Sequence, residues 1–202
     1  MVSALPVLRS LAARAAHVPD RVLHRYRRRR VLRTFQRRGR PASVLVVCHG
    51  NICRSPFAAG QLARVLPAEL RGVVSVKSAG FVGAGRSSPR DAIEAAAERG
   101  GDLSRHRATV LTPALVRASQ LIVVMDAMQR REICSLYRRH PSTVALLGDL
   151  DPLVAETREI QDPLDRPVTV YRATYDRIGR CVEQLVHAMV NAEPGRAPTG
   201  LS

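Results

Sequence analysis

The chain has 202 residues, of which 46% are hydrophobic, and a formal net charge of +15. This length and composition predict one globular domain with a sizeable core plus an extension. No apolar run approaches the roughly 18 residues that a membrane-spanning helix needs. The chain has no tryptophan and only 3% aromatic residues, so few side chains are available to stack on nucleic-acid bases. We therefore expect no nucleic-acid partner.

The positive charge is concentrated at the beginning of the chain. Residues 1–40 contain 12 arginines and one aspartate, a net charge of +11, which leaves +4 for the remainder. Apolar side chains have helical spacing over residues 5–17, where Pro19 is expected to end the pattern, and residues 21–40 lack a single apolar stripe. We therefore predict a basic N-terminal extension over residues 1–41, partly helical or disordered. Its charge suits an anionic membrane surface or an acidic partner.

An apolar, β-branched run over residues 43–48 ends in a short polar loop. Pro56 then opens an alanine- and leucine-rich helical pattern, so this stretch reads as a buried strand, a tight loop and a helix N-terminus. Loops of this kind bind anions, because backbone N–H groups and the positive end of the helix dipole face the ligand. The sequence therefore predicts an anion site directly after the first strand.

A thiol and a guanidinium bound this loop. Cys48 begins it and Arg54 ends it, and a nearby cation with several amides favours the thiolate. A guanidinium matches phosphate with two parallel hydrogen bonds. We predict attack of the Cys48 thiolate on a phosphate monoester through a phosphocysteine intermediate. The candidate substrate-binding residues are those of the loop and the helix start: His49, Gly50, Asn51, Ile52, Cys53 and Ser55.

Strands alternate with helices along the rest of the chain. Further strands are predicted at 73–76, 120–125 and 143–147, and helices at 56–66, 87–99, 127–139 and 171–189, with a short one opening at residues 112–113. This order predicts an α/β domain over residues 42–192, a four-stranded parallel sheet flanked by helices on both faces. Ligands bind at the carboxyl ends of such strands, where Cys48 lies. A flexible tail is expected over residues 193–202.

The four cysteines resemble neither a secreted disulfide framework nor a zinc site. Cys181 belongs to the apolar stripe of the last helix and is assigned to the core. We predict a reducing, cytoplasmic compartment. Because the N-terminal extension is basic, this prediction includes a peripheral position at the inner face of the membrane. We expect no metal and no cofactor.

Phosphate ester hydrolysis also needs a carboxylic acid that protonates the leaving oxygen. Two Asp-Pro pairs are candidates, at Asp151 and Asp162. Aspartate before proline commonly initiates a turn, and spacing alone does not choose between the two.

The segment Cys48-His49-Gly50-Asn51-Ile52-Cys53-Arg54-Ser55-Pro56 resembles the signature of the low-molecular-weight protein tyrosine phosphatases. The resemblance covers about residues 42–192 and implies a metal-free, cysteine-dependent phosphatase acting on protein phosphotyrosine. In bacteria such enzymes often oppose tyrosine kinases of polysaccharide export. The family carries its general acid in an Asp-Pro element shortly before the last helix, and Asp162 matches that place.

The same resemblance implies roles for supporting residues. Ser55 is expected to donate a hydrogen bond to the thiolate, and Asn51 to be held by Ser78 and His106. Cys53 matches a second loop cysteine that, in many relatives, forms a reversible disulfide with the nucleophile.

Two positions bear on the substrate. Leu164 stands where the family usually has an aromatic wall, and Phe81 is the nearest aromatic replacement. Ile52 favours phosphotyrosine, since relatives that hydrolyse phosphoarginine tend to have threonine there.

Two other functions stay open on the same fold. An arsenate reductase needs additional cysteines close to the nucleophile, and Cys134 and Cys181 lie far apart in sequence on separate predicted helices. A non-catalytic phosphoprotein-binding adaptor is the third hypothesis.

Overall fold

The computed structural model describes residues 18–194, and it begins with a helix, α1, over Val18–Arg38. Of the two alternatives for the extension, the structure has the helical one over residues 18–38. Pro19 lies in the first turn of α1, where its missing N–H has no helical acceptor, so it opens a helix rather than ending one. The helix predicted over residues 5–17 lies outside the described residues.

Four parallel strands form one sheet in the order β2-β1-β3-β4. The strands are β1 over Ser43–Cys48, β2 over Ser75–Gly80, β3 over Leu121–Val124 and β4 over Val144–Leu146. The prediction of a four-stranded parallel sheet is confirmed. β2 begins later than predicted because it is an exposed edge strand without an apolar run, whereas the apolar residues 73–74 lie in the turn before it.

Helices cover both faces of the sheet, as predicted. They are α2 over Arg54–Val65, α3 over Arg90–Ala97, α4 over Pro113–Ala118, α5 over Ala127–Leu136 and α6 over Val168–Val190, with short 3-10 turns at Ala68–Leu70, Pro141–Thr143 and Leu147–Leu150. Alternate residues of β1 enter two separate cores. Val44 and Val46 pack into the core that contains α2, α3 and α6, while Leu45 and Val47 pack into the core that contains α4 and α5.

Three well-placed side chains dock α1 on the domain. Phe35 is buried in the larger core, His24 Nε2 bonds the carbonyl oxygen of Asp151 at 2.9 Å, and Arg28 donates to Gln184 of α6 at 2.5 Å. Their spacing puts them on one helix face. That face is half polar, so hydrophobic periodicity did not reveal it.

The end of the described chain returns to the start of the domain. The N–H of Arg40 donates to the carbonyl of Glu193 at 2.6 Å, and Arg40 pairs with Pro194 as an isolated bridge. Residues 193–194, expected in a flexible tail, are thus hydrogen-bonded to the segment that precedes β1. Within residues 18–194, no helix is long and apolar enough to cross a membrane.

Candidate active site

The loop after β1 wraps around the sulfur of Cys48. Cys48 is the last residue of β1 and is 2% exposed. Its Sγ accepts a hydrogen bond from the N–H of Asn51 at 3.3 Å and lies 3.0 Å from the Ser55 hydroxyl. Because α2 begins at Arg54, its unpaired N–H groups and the positive end of its dipole face the same loop. These donors all favour a sulfur anion.

Asn51 fixes the shape of the loop. It has φ of +50°, a left-handed conformation that asparagine tolerates. Its Nδ2 donates to Ser55 Oγ at 2.8 Å, and its Oδ1 accepts from the N–H of Thr109 at 2.8 Å. His106 donates from Nε2 to the carbonyl of Asn51 at 2.7 Å, so it supports the loop and does not face the sulfur. The loop is therefore held from three sides before any ligand arrives.

Ser78 does not hold Asn51, so that expectation from the resemblance is wrong. Ser78 pairs with Val46 in the sheet, two positions before the strand end, which places it below the loop. The side-chain amide of Asn51 is bonded instead to Ser55 and to the backbone of Thr109.

Gly80, the last residue of β2, leaves the space that the backbone of the loop occupies. A Cβ on Gly80 would lie 2.7 Å from both the nitrogen of Asn51 and the carbonyl oxygen of His49. Only glycine permits this close approach of β2 to the loop.

Arg54 has a buried guanidinium in which one nitrogen, Nε, has no partner among residues 18–194. Its side chain is 5% exposed, its Nη1 donates to the carbonyl of Ile160 at 3.1 Å, and its Nη2 donates to Asp162. Its Nε is buried and has no hydrogen-bond partner among residues 18–194. Buried donors are almost always paired in native proteins, so this one indicates an anion that the loop is built to receive.

The structure separates the two Asp-Pro candidates. Asp162 lies at the mouth of the loop, ion-paired with Arg54 and 44% exposed. The amide of Ile160 bonds the carbonyl of Met125 at 2.9 Å, just after β3, which fixes this segment at the carboxyl edge of the sheet. Asp151 is 1% exposed and its carboxylate is bonded by Arg177 at 2.9 Å. Asp151 therefore joins α6 to the domain and does not face Cys48.

The pocket over Cys48 is small, about 30 Å³, and has one wall that the sequence did not predict. Leu164 lines it, as its position implied, but Phe81 packs against the smaller core instead. The candidacy of Phe81 as an aromatic wall is therefore wrong. Arg86 lines the mouth, near Gly50, and has no ion-pair partner among the described residues. In the sequence, the only signal for this position is that Arg86 follows two glycines, Gly83 and Gly85, both of which have positive φ.

Cys53 lies at the base of the pocket under two tyrosines of α6. Tyr175 donates from its hydroxyl to the carbonyl of Cys53 at 3.2 Å, and its ring stacks on Phe57 at 4.0 Å. Burial, followed by the negative charges of Asp162 and Cys48, raises the pKa of the Cys53 thiol to about 12. Cys53 is therefore a neutral thiol at physiological pH. Sequence reasoning assigned this part of α6 to packing alone and missed its contact with the loop.

The other two cysteines lie away from the pocket. Cys181 is fully buried in α6, where burial raises the pKa of its thiol to about 12, and Cys134 packs against the smaller core. Neither lines the pocket over Cys48. Among residues 18–194, no group of histidine, cysteine and acidic side chains is arranged to hold a metal ion.

A parallel sheet with an amide-lined loop, a thiol at its floor and a guanidinium at its side defines a class of cysteine-dependent phosphate-ester enzymes. A model of the low molecular weight phosphotyrosine protein phosphatase family matches residues 43–194. The chain belongs to this family. The match begins after α1, so the basic extension lies outside it.

Individual relatives agree with the family match. The chain is 40% identical over 146 residues to the probable low molecular weight protein-tyrosine-phosphatase EpsP of Ralstonia nicotianae, covering 71% of this chain and 93% of that protein. It is 35% identical over 153 residues to the low molecular weight protein-tyrosine-phosphatase Wzb of Escherichia coli K12, covering 75% and 97%.

Solved structures share the fold. The tyrosine phosphatase AmsI of Erwinia amylovora superposes with a TM-score of 0.65 at 30% identity, covering 73% of this chain and 93% of that one. Wzb of Escherichia coli K30, solved in complex with sulphate, gives a TM-score of 0.63 at 27% identity, covering 73% and 97%.

Proposed function

We propose that this protein hydrolyses phosphotyrosine in proteins, with Cys48 as nucleophile, Arg54 as phosphate ligand and Asp162 as general acid. The observation that carries the proposal is the convergence of three groups on one point. The Cys48 sulfur accepts from the loop amide of Asn51, the buried Nε of Arg54 has no partner among residues 18–194, and the Asp162 carboxylate lies at the mouth. These are the nucleophile, the anion ligand and the proton donor that the reaction needs.

In the first step the Cys48 thiolate attacks phosphorus and the bond to the leaving phenolic oxygen breaks. Asp162, protonated, gives its proton to that oxygen, so that tyrosine leaves neutral. The loop amides and Arg54 hold the phosphoryl oxygens as charge moves onto them. The product is a phosphocysteine.

In the second step water replaces the sulfur on phosphorus. The Asp162 carboxylate, now without its proton, accepts one from the attacking water, and the phosphorus–sulfur bond breaks. The Ser55 hydroxyl, 3.0 Å from the sulfur, stabilises the thiolate that leaves. Inorganic phosphate is released and Asp162 is protonated again.

The pocket supports a tyrosine substrate with an aliphatic wall. Ile52 and Leu164 line it and supply apolar surface for a phenyl ring. A structurally similar protein, the YwlE arginine phosphatase of Geobacillus stearothermophilus, shares the fold at a TM-score of 0.64 and 27% identity. Ile52, in place of the threonine of phosphoarginine hydrolases, favours phosphotyrosine for this chain.

The two alternative functions find less support in the site. Cys134 and Cys181 do not line the pocket, so they are poorly placed to pass on a disulfide as arsenate reduction requires. An adaptor that only binds phosphoproteins has no use for Asp162 at the mouth of the loop.

The biological setting follows from the relatives and from the cysteines. We place the protein in the cytoplasm, where the four free cysteines stay reduced, and opposite a bacterial tyrosine kinase of polysaccharide export. For the basic extension, an acidic partner is better supported than an anionic membrane surface, because α1 lines a concave surface rich in arginine.

The test is hydrolysis of a phosphotyrosine peptide and of a phosphoarginine peptide in the presence of a metal chelator. Wild type is expected to release phosphate from the first and not the second, and Cys48→Ala to release none. Cys181→Ala, a matched cysteine outside the pocket, is expected to keep wild-type turnover per folded molecule. Arsenate reduction that depends on Cys181, or turnover by Cys48→Ala, would contradict the proposal.

A further inference from the structure

A second, larger concavity lies on the far side of the sheet from Cys48. It has a volume of about 1230 Å³ and runs between α1 and the residues where the strands begin, including Pro41, Gln120 and Thr143. Cys48 lies at the opposite, carboxyl edge of the same sheet. Small-molecule pockets usually measure about 300–1,000 Å³, so this space suits a longer ligand.

Arginine dominates the lining of this concavity, which we call the arginine groove. Twelve arginines line it, eight from residues 25–40 and four from the opposite wall: Arg117, Arg130, Arg139 and Arg158. Among the lining residues that the structure describes, the one acidic residue is Asp149, and it is paired with Arg158 at 2.5 Å. Arg33 and Arg37 are exposed on α1 and have no hydrogen-bond or ion-pair partner among the described residues. Among the described lining residues, positive charges therefore far outnumber negative ones.

The cations of the groove are held close to one another. Burial and the neighbouring charge of Arg38 lower the pKa of the Arg139 guanidinium. The Nε of Arg139 is buried and has no hydrogen-bond partner in the described part of the chain, although its Nη2 donates to the carbonyl of Ser119 at 2.7 Å. Like charges at close range cost free energy until an anion arrives. Close arginines of this kind destabilise the fold on their own, so they indicate a surface that binds an anion.

The terminal segments of the given sequence carry no acidic side chain. Neither residues 1–17 nor residues 195–202 contain an aspartate or a glutamate. These two segments therefore supply no carboxylate side chain to the groove.

We propose that the arginine groove docks an acidic, extended peptide segment of the phosphoprotein substrate. The proposal rests on the phosphatase function above and adds a second contact for the same substrate. A peptide fits the shape, because a concave groove receives a chain while a bilayer surface cannot enter it. Exposed apolar side chains at its rim, Leu23 and Tyr26, suit the mixed side chains of a peptide. The accessible aromatic surface is too small for stacking on several bases.

Docking at this distance changes substrate capture and leaves the chemistry alone. An acidic segment bound at the amino edge of the sheet raises the local concentration of a tethered phosphotyrosine near Cys48. It lowers the KM of substrates that carry such a segment. Small aryl phosphates are unaffected, because they do not reach the groove.

The first test is binding of a fluorescein-labelled oligoglutamate peptide, followed by anisotropy at low and at high salt. The variant Arg33→Glu/Arg37→Glu reverses two exposed, unpaired charges of the groove. The control Lys77→Glu/Arg131→Glu makes the same change in net charge at exposed sites that do not line the groove. Because each substitution replaces an attractive charge with a repulsive one, we expect about tenfold loss of affinity in the first variant and little in the control.

The second test is kinetic and separates the two proposals. For a phosphotyrosine peptide with an oligoglutamate extension, KM is expected to rise in Arg33→Glu/Arg37→Glu, while kcat for p-nitrophenyl phosphate stays at the wild-type value. Equal effects in the control variant, binding of anionic vesicles or duplex DNA without binding of the peptide, or an extension that leaves KM unchanged would each overturn substrate docking. If no variant hydrolysed any ester, the phosphatase proposal would fail, and the anisotropy result would still report on the groove.

Discussion

Arg54 donates to the carboxylate of Asp162 across the mouth of the phosphate-binding loop. The carboxylate thus occupies a donor that phosphate would also use. A phosphate dianion has to displace it, and the displaced carboxyl group is then beside the leaving oxygen. The ion pair therefore connects substrate binding to the position of the general acid.

Asp162→Asn tests both consequences of this ion pair. Loss of the proton donor is expected to lower kcat by about 10²–10⁴-fold for esters whose leaving group needs a proton. Loss of the competing negative charge is expected to tighten inhibition by inorganic phosphate. Steady-state kinetics with phosphate as inhibitor measures both effects.

The matched control is the other Asp-Pro aspartate. Asp151→Asn is expected to keep kcat per folded molecule and to lower the melting temperature, because Arg177 and Arg180 lose a buried partner charge. A loss of kcat in Asp151→Asn that matched Asp162→Asn would contradict the assignment.

Arg86 provides an unpaired cation at the mouth of the pocket, near Gly50. Arg86→Gln is expected to raise KM for phosphotyrosine peptides by about three- to tenfold with kcat unchanged, because an exposed charge contributes to binding and not to the chemical step. Arg90→Gln, an exposed arginine that does not line the pocket, is the control. A fall in kcat, or an equal rise in KM for both variants, would show that Arg86 does not act as described.

If Cys53 forms the protective disulfide with Cys48 that the family resemblance implies, closure of that bond depends on pH. Its thiol has a pKa of about 12, above its ordinary value, so its thiolate fraction rises about tenfold for each pH unit through neutral and mildly alkaline pH. After brief peroxide treatment, closure of the Cys48–Cys53 bond is expected to accelerate accordingly, and alkylation with mass spectrometry follows it. Sulfinic acid at Cys48 without that bond, at every pH, would refute the protective disulfide. The control is Cys53→Ala, which shows the oxidation product of Cys48 when no second thiol is available.

Phe35 packs α1 onto the domain, so its substitution is expected to lower the free energy of unfolding and to leave catalysis unchanged. Phe35→Ala is expected to cost about 3–5 kcal/mol of unfolding free energy, since it opens a cavity in the larger core. Val22→Ala, at a position 72% exposed on the same helix, is the control and should change little. Urea unfolding measures both. An unchanged unfolding free energy in Phe35→Ala would mean that α1 does not pack on the domain in solution.

The site could be predicted from sequence where its chemistry is local. Strand β1 has the bounds that its apolar run predicted, and Cys48, Asn51, Arg54 and Ser55 lie within one loop whose shape follows from the strand and helix on either side. Choosing Asp162 over Asp151 required the family resemblance, because both stand before proline and differ only in tertiary partners.

What sequence reasoning missed depends on contacts between distant segments. The docking face of α1 combines His24 and Arg28 with Phe35, and polar anchors leave no hydrophobic periodicity. Ser78 was assigned by motif position, whereas the sheet register places it below the loop. The arginine groove is visible in sequence only as charge, and its concavity exists because α1 packs beside the sheet.

The central claim is that the phosphoryl group passes through the sulfur of Cys48. The most direct measurement is rapid acid quench during turnover of p-nitrophenyl phosphate, whose leaving group needs no proton, followed by mass spectrometry of the peptide that contains Cys48. Asp162→Asn is expected to accumulate one phosphoryl group on Cys48, because activation of water is slowed in the second step, and Cys48→Ala to show neither the adduct nor turnover. A phosphoryl group on any other residue, or phosphate release by Cys48→Ala, would contradict the account.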